Sequence, residues 1–204
     1  MQSAEALVAA LSMVNCPQLT SRARQAPLPN GVTFLLQVAA GEEDALKEAC
    51  WRTGQTEERL KKAAGFFVEQ VLLTQLIDHY RVLGCHRKSS NGDLRRHMAL
   101  MMKWVHPDVV CGGLPALGFG RNLYATRITE AWEALKTDER RSAYDKTLVT
   151  NTEEQRTANR SRLLSPPPDE AAVSQTKLQN MPYRPPLKSA GFWTRIFSAF
   201  AGRP

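Results

Sequence analysis

The chain has 204 residues, of which 43% are hydrophobic and 23% charged, so it has enough apolar mass to fold around a core. No apolar stretch reaches the roughly 20 residues that a membrane-spanning helix needs, which excludes an integral membrane protein. The net charge is +7, but residues 1–76 carry 7 basic and 8 acidic side chains, so the basic excess lies beyond them. Charge of this sign attracts nucleic acid, anionic membranes or acidic protein surfaces.

The cysteines and the first residues bear on the compartment. No two of the four cysteines stand at a C-x-x-C spacing, so neither a zinc site nor a redox pair is indicated. The apolar N-terminus contains Glu5 and lacks the basic flank of a secretory signal. We therefore expect a cytoplasmic protein with reduced thiols, no metal and no cofactor.

Residues 1–76 predict a small N-terminal helical domain of unknown role. Residues 4–14 and 42–51 favour short helices, and the stretch 34–40 is ambiguous between strand and helix, with helical neighbours that favour a helix. Thr56 is the expected N-cap of the next helix. Its apolar residues recur at three- and four-residue steps, at Leu60, Ala64, Phe67, Val68, Val71 and Leu72.

The next segment predicts a short helix followed by a longer one. Residues 77–84 indicate one or two helical turns closed by Gly84. Asn91 is the expected N-cap of a helix over residues 93–105, which Pro107 prevents from continuing. Its apolar face comprises Leu94, Met98, Met101, Met102 and Val105. Three basic side chains lie elsewhere on its surface, namely Arg95, Arg96 and Lys103.

Two further helices follow a glycine-rich loop at residues 111–120, whose spacing fits neither a dinucleotide-binding nor a P-loop pattern. The first begins near Arg121 and is predicted to bury one face. That face comprises Tyr124, Ile128, Trp132 and Leu135. The second is a short basic helix over residues 138–146.

The remainder of the chain is polar and rich in proline. Seven of the twelve prolines lie beyond residue 165, and this composition predicts a disordered linker over residues 149–188. The C-terminal segment, residues 189–204, instead places aromatic and aliphatic residues at helical spacing. Three interpretations stay open, because such a segment docks on the folded part, lies in a membrane interface or binds another protein.

Several motifs in residues 77–148 belong together. They are Asp78-His79-Tyr80 with Leu83-Gly84, Leu94-Arg95-Arg96, His106-Pro107-Asp108, Ile128-x-Glu130-Ala131-Trp132-x-x-Leu135 and Asp138-Glu139-Arg140-Arg141-x-x-Tyr144-Asp145. In this order they resemble the J-domain of DnaJ-type co-chaperones, over about a third of the chain. The tripeptide between two amphipathic helices is the most specific element.

The resemblance implies a function in protein folding. A J-domain binds a DnaK-type ATPase chaperone and stimulates its ATP hydrolysis, so that the chaperone closes on a client peptide. The family packs its two long helices antiparallel, with the tripeptide loop at their tip. The resemblance implies that Asp108 engages a basic residue of the chaperone, while His106 and Pro107 shape the loop. The expected partner-binding residues are His106, Pro107, Asp108, Arg95, Arg96 and Lys103.

The sequence departs from the family in the middle of the basic helix. The family usually has a tyrosine and a run of lysine or arginine where this chain has Met98, Ala99 and Leu100. The basic face is therefore thinned to Arg95, Arg96 and Lys103, with His97 as an expected helper. This thinning motivates an alternative function, a J-like binding or scaffold protein that does not stimulate ATP turnover.

The sequence thus predicts an all-α protein without a catalytic constellation, so we expect no enzyme. An unknown client or recruiter is expected to bind through residues 1–76 or 189–204. The second of these segments also offers a peripheral contact with a membrane surface. Nucleic acid is not an expected partner, because the basic residues are not interleaved with aromatic ones on one face.

Overall fold

A computed structural model describes residues 3–74, 77–106 and 120–150, and every regular element within these ranges is a helix. The all-α prediction is confirmed for this part of the chain. The elements are α1 (Glu5–Asn15), α2 (Leu19–Gln25), α3 (Val32–Ala39), α4 (Glu43–Thr53), α5 (Glu57–Phe67), a π-helical turn (Val68–Leu72), α6 (His79–Val82), α7 (Asn91–Val105), α8 (Gly120–Leu135) and α9 (138–150).

The helix α3 lies at the centre of the N-terminal elements. It contacts α1, α4 and α5, and six of its eight residues are buried. A helix that is apolar on all sides is a buried helix. This explains why periodicity left residues 34–40 ambiguous, and the prediction of a helix there is confirmed.

The helix α5 begins where the sequence predicts. The Thr56 hydroxyl accepts a hydrogen bond from the Arg59 amide at 3.4 Å, and the predicted apolar face from Leu60 to Leu72 is buried. The helix does not run on regularly, however, because it widens after Phe67 into the π-helical turn. Arginines from other elements bind carbonyls in or just after this turn, as when Arg24 Nε donates at 2.8 Å to the Gln70 carbonyl, which also accepts from Thr74 Oγ1 at 2.7 Å.

The helices α7 and α8 contact each other along their length and run antiparallel. At one end, Asn91 Nδ2 donates to Asp138 Oδ1 at 3.0 Å, just beyond the end of α8. At the other end, Arg121 Nη1 donates to the His106 carbonyl at 3.4 Å, so the end of α7 lies beside the start of α8.

The buried face of α8 differs from the predicted one. Ile128 and Leu135 are buried as expected, but Tyr124 and Trp132 are only half-buried. Two alanines, Ala125 and Ala131, complete the buried face. A periodicity count favours large apolar residues, whereas small side chains allow α8 to approach its neighbours closely.

Polar contacts join the N-terminal elements to the later helices. The Arg81 guanidinium donates to the carbonyls of Ala23 and Ala26, at 2.6 and 2.8 Å, at the end of α2. Thr33 Oγ1 of α3 lies 2.7 Å from His97 Nε2 of α7. The described residues all belong to one compact unit, and the predicted domain boundary after residue 76 stays a prediction.

The N-cap of α7 is Ser90, and the prediction of Asn91 was wrong by one residue. Ser90 Oγ accepts from the Asp93 amide at 3.1 Å, and Asp93 Oδ2 accepts from the Ser90 amide at 3.2 Å. This is a reciprocal capping box in which aspartate takes the place of the usual glutamate.

The corrected cap makes a testable prediction. We expect Ser90→Ala to lower the free energy of unfolding by about 1 kcal/mol, because an orphan helix amide loses its acceptor. Chemical denaturation measures this loss. The control is Ser90→Thr, which keeps a hydroxyl acceptor at the cap, and an equal loss in both variants would contradict the assignment.

Several predictions concern residues outside the described ranges. These are Pro107, Asp108, the glycine-rich loop up to residue 119, most of the linker and the segment 189–204. The helix α9 runs through residue 150, so Val149 and Thr150 are helical and the prediction of disorder from residue 149 was wrong there. Among the described helices, none combines the length and apolarity needed to cross a bilayer.

Candidate functional site

Three of the six predicted site residues lie on α7, and His106 follows its last residue. Eight of its fifteen residues are buried, and they include the whole predicted apolar face. Arg95, Arg96 and Lys103 are exposed, and we call these three residues the basic stripe. Because residues advance by about 100° around an α-helix, the stripe covers roughly 100° of its circumference. Ala99 lies between them and is also exposed.

The basic stripe is narrow because α7 packs on two sides. It contacts α8 and also α3 of the N-terminal elements. Met98 and Leu100, which replace polar or basic residues of the family pattern, are both buried. They belong to the core, so they do not interrupt the exposed basic face of α7.

His97 does not assist the basic stripe, and that prediction was wrong. The side chain is 5% exposed and makes close polar contacts inside the protein. Its Nδ1 lies 2.9 Å from the Leu83 carbonyl and its Nε2 lies 2.7 Å from Thr33 Oγ1. Burial is the main cause that lowers the pKa of His97, against the opposing effect of the Leu83 carbonyl. We therefore assign His97 to the core as a neutral ring.

The charges of α7 are arranged along its axis. Asp93, the acidic residue of this helix, lies in the first turn, where a negative charge stabilises the helix dipole. Hydrogen bonds from the Ser90 side chain and amide lower the pKa of Asp93. The charge of Arg96 also lowers the pKa of Asp93, so this carboxylate offsets part of the positive charge of the stripe near the start of α7.

The helix ends as a proline at position 107 requires. His106 is half-buried and has φ −58° and ψ 136°, an extended conformation. A residue before proline avoids helical angles, so the chain leaves α7 at this residue. The His106 amide still donates to the Lys103 carbonyl at 3.2 Å. The end of the basic stripe and the start of the tripeptide are thus within one helical turn of each other.

Sequence reasoning gave no role at the site to three residues in the first two turns of α8. Arg121 and Arg127 bind carbonyls of other elements, and Tyr124 stacks on Trp104 with ring centroids 6.3 Å apart. Only their three-residue spacing in the sequence signals that they share a face of α8. The acceptors of the two arginines are main-chain carbonyls, which no sequence pattern reveals.

The site offers recognition chemistry. In the described ranges, histidines, cysteines and carboxylates nowhere gather in a group of three that could hold a metal ion. The available groups are an exposed row of cations and the chain that leaves α7 at His106. Such groups suit the binding of an anionic protein surface.

In comparisons with known proteins, the chain matches no family model, no curated protein and no solved structure. The relation to J-domains therefore depends on the motifs of residues 77–148.

Proposed function

We propose that this protein is a co-chaperone that binds a DnaK-type ATPase chaperone and stimulates its ATP hydrolysis. One observation carries the proposal. The basic stripe is the exposed face of α7, and the helix ends in extended conformation at His106, the first residue of His106-Pro107-Asp108. The recognition elements of the J-domain pattern thus follow one another on one helix and the residues after it.

Each element has a physical role in the proposed contact. The stripe steers α7 towards an acidic groove of the partner, which speeds association more than it tightens binding. Pro107 restricts the backbone before binding and so reduces the entropy lost on association. The Asp108 carboxylate accepts a charge-assisted hydrogen bond from a basic residue of the chaperone. The protein supplies no catalytic group, because the ATP and its catalytic residues belong to the partner.

The proposal includes a cytoplasmic location. Three cysteines of the described ranges are free thiols: Cys16 is exposed, Cys50 half-buried and Cys85 buried. An exposed free thiol suits a reducing compartment.

The narrow stripe favours the second candidate function. Three cations on one face give a weaker electrostatic contact than an unbroken basic row, and buried Met98 and Leu100 cannot contribute charge. A J-like protein of this kind binds its partners without stimulating ATP turnover and acts as a scaffold.

An ATPase assay tests the proposal. A purified DnaK-type chaperone is mixed with increasing amounts of the full chain, and steady-state hydrolysis is measured. We expect the wild type to stimulate and His106→Gln or Asp108→Asn to lose at least about tenfold, because truncating one partner of a desolvated charged contact costs about 2–5 kcal/mol.

The stripe provides the matched control. Lys103→Gln is expected to raise the half-saturating concentration, more strongly at low salt, because steering is screened by ions. Lys47→Gln removes another exposed lysine, on α4, where it pairs with Glu43, and should leave the curve unchanged. Equal stimulation by wild type, His106→Gln and Asp108→Asn would contradict the proposal. Nucleotide-independent binding without stimulation would support the scaffold function instead.

A further inference from the structure

The first two turns of α8 carry a face whose side chains all contact other elements. Arg121, Tyr124 and Arg127 follow one another at three-residue intervals, so they lie on the same side of the helix. Arg121 Nη1 donates to the His106 carbonyl at 3.4 Å. Arg127 Nη1 donates to the Leu73 carbonyl, immediately after the π-helical turn.

Tyr124 lies between the two arginines and packs against the last turn of α7. Its ring stacks on that of Trp104, with centroids 6.3 Å apart and planes inclined by 30°. Trp104 is buried, and its indole N–H has no hydrogen-bond partner among the described residues, so it contributes packing rather than a polar link. Trp104 stands two residues before His106, and the stack therefore holds the turn from which the tripeptide leaves.

We propose that Arg121 and Tyr124 are positioning residues for the end of α7 at His106, with Arg127 anchoring them to the N-terminal elements. This inference rests on the proposed function. Arg121 acts through His106, and it does not touch the partner.

The chemistry of proline explains why an arginine is needed there. Pro107 has no amide hydrogen, so its nitrogen cannot anchor the peptide that joins it to His106. The carbonyl of His106 is the polar group that this peptide retains. A guanidinium donates to it with a full positive charge, and a cation beside the last carbonyls also stabilises the helix dipole.

Arg127 extends the arrangement to the other part of the molecule. The Leu73 carbonyl lies beyond the last residue of the π-helical turn, where a backbone acceptor has no partner within its own helix. The same turn receives Arg24 at the Gln70 carbonyl and at Gln70 Oε1. The N-terminal elements thus support the face of α8 that contacts the end of α7.

The test separates positioning from partner contact. Stimulated ATPase curves of a purified DnaK-type chaperone are recorded with wild type, Arg121→Gln, Arg121→Lys and Asp108→Asn of the full chain. For Arg121→Gln we expect the maximal stimulated rate to fall about tenfold, the effect of losing a hydrogen bond from a charged group. The half-saturating concentration should change less than about twofold, since the basic stripe that governs encounter is intact. Arg121→Lys should recover part of the rate, because lysine keeps the positive charge but lacks the paired N–H donors of the planar guanidinium.

The matched control removes a similar bond at the opposite end of α8. Arg140 Nη1 donates to the Glu133 carbonyl at 2.9 Å and to Glu133 Oε2 at 2.7 Å, so Arg140→Gln loses the same charge and at least as much contact far from His106. It should keep the wild-type rate. Tyr124→Phe retains the stack and should stimulate normally, whereas Tyr124→Ala should behave like Arg121→Gln. Thermal unfolding of each variant establishes that it folds.

The outcomes distinguish the two proposals. If wild type stimulates, Asp108→Asn does not and Arg121→Gln equals wild type, the positioning role is refuted and the proposed function stands. Equal losses in Arg121→Gln and Arg140→Gln also refute it, because the effect is then a general one on the fold. If wild type and Asp108→Asn give the same rate, both proposals fail.

Discussion

Replacing Gly84 with alanine is expected to lower the free energy of unfolding by roughly 2–4 kcal/mol. Gly84 has φ +65°, where a side chain strains the backbone by about 1–2 kcal/mol. An added Cβ would also lie 2.8 Å from Val32 Cγ1 and 3.3 Å from Leu72 Cδ1. Both neighbours are buried, and Val32 is β-branched with little rotamer freedom, so neither yields easily. Urea unfolding monitored by circular dichroism measures the loss.

Gly54 provides a control with the same backbone geometry. It has φ +64°, but an added Cβ meets nothing within 4 Å. Gly54→Ala should therefore cost only the strain, about 1–2 kcal/mol. The difference between the two variants isolates the cost of the close approach between the turn after α6 and the N-terminal core. Equal losses of unfolding free energy in Gly84→Ala and Gly54→Ala would show that Val32 and Leu72 move aside at no cost. That result would contradict tight packing between the turn and the N-terminal core.

The local periodicity of the sequence was sufficient to predict most helices. Six apolar residues repeat at three and four positions, and the structure buries all six: Leu60, Ala64, Phe67, Val68, Val71 and Leu72. The prediction succeeded because the spacing of these apolar side chains depends only on the helix to which they belong. The same holds for the face of α7 that contains Leu94 and Met101.

Contacts between distant segments could not be predicted from periodicity. His97 was placed with the basic residues because of its type, yet Thr33 of α3 meets it across 64 positions of sequence. Nothing near His97 in the sequence signals that neighbour. The π-helical turn was missed for a related reason, since the Gln70 carbonyl in it and the Leu73 carbonyl just after it are bound by Arg24 and Arg127 from other helices.

The candidate site was only partly predictable. The exposure of Arg95, Arg96 and Lys103 follows from the apolar periodicity of α7, and that prediction is confirmed. The exit of the chain at His106 follows from the proline after it. Arg121 was not identified, because every residue has a main-chain carbonyl and the residue type of the acceptor therefore gives no signal.

The buried ring of His97 joins three parts of the molecule. It contacts Thr33 of α3, the Leu83 carbonyl after α6 and, through Nδ1 at 3.3 Å, the Cys85 sulfur. Burial raises the pKa of the Cys85 thiol to about 12, so this neighbour stays uncharged. The charged groups that act on His97 are Asp93 and Arg96 of its own helix, and they oppose each other.

Acidification is expected to destabilise the protein through His97. Burial lowers its pKa below the ordinary value of 6.5, so below that pH the unfolded chain binds more protons than the folded one. The stabilisation from the neutral ring is complete above pH 6.5 and decreases as the pH falls towards the folded-state pKa. The slope reaches at most about 1.4 kcal/mol per pH unit for one proton.

Urea unfolding of wild type and His97→Gln between pH 7.5 and 5 measures this dependence. Glutamine retains a donor and an acceptor but does not titrate, so its free energy of unfolding should fall less steeply below pH 6.5. His79, whose pKa burial also lowers, is present in both proteins and cancels in the comparison. Burial raises the pKa of Glu69 from 4.5, an effect of opposite sign that both proteins also share. Parallel curves for the two proteins would show that His97 is not the group whose protonation loosens the contact between α3 and α7.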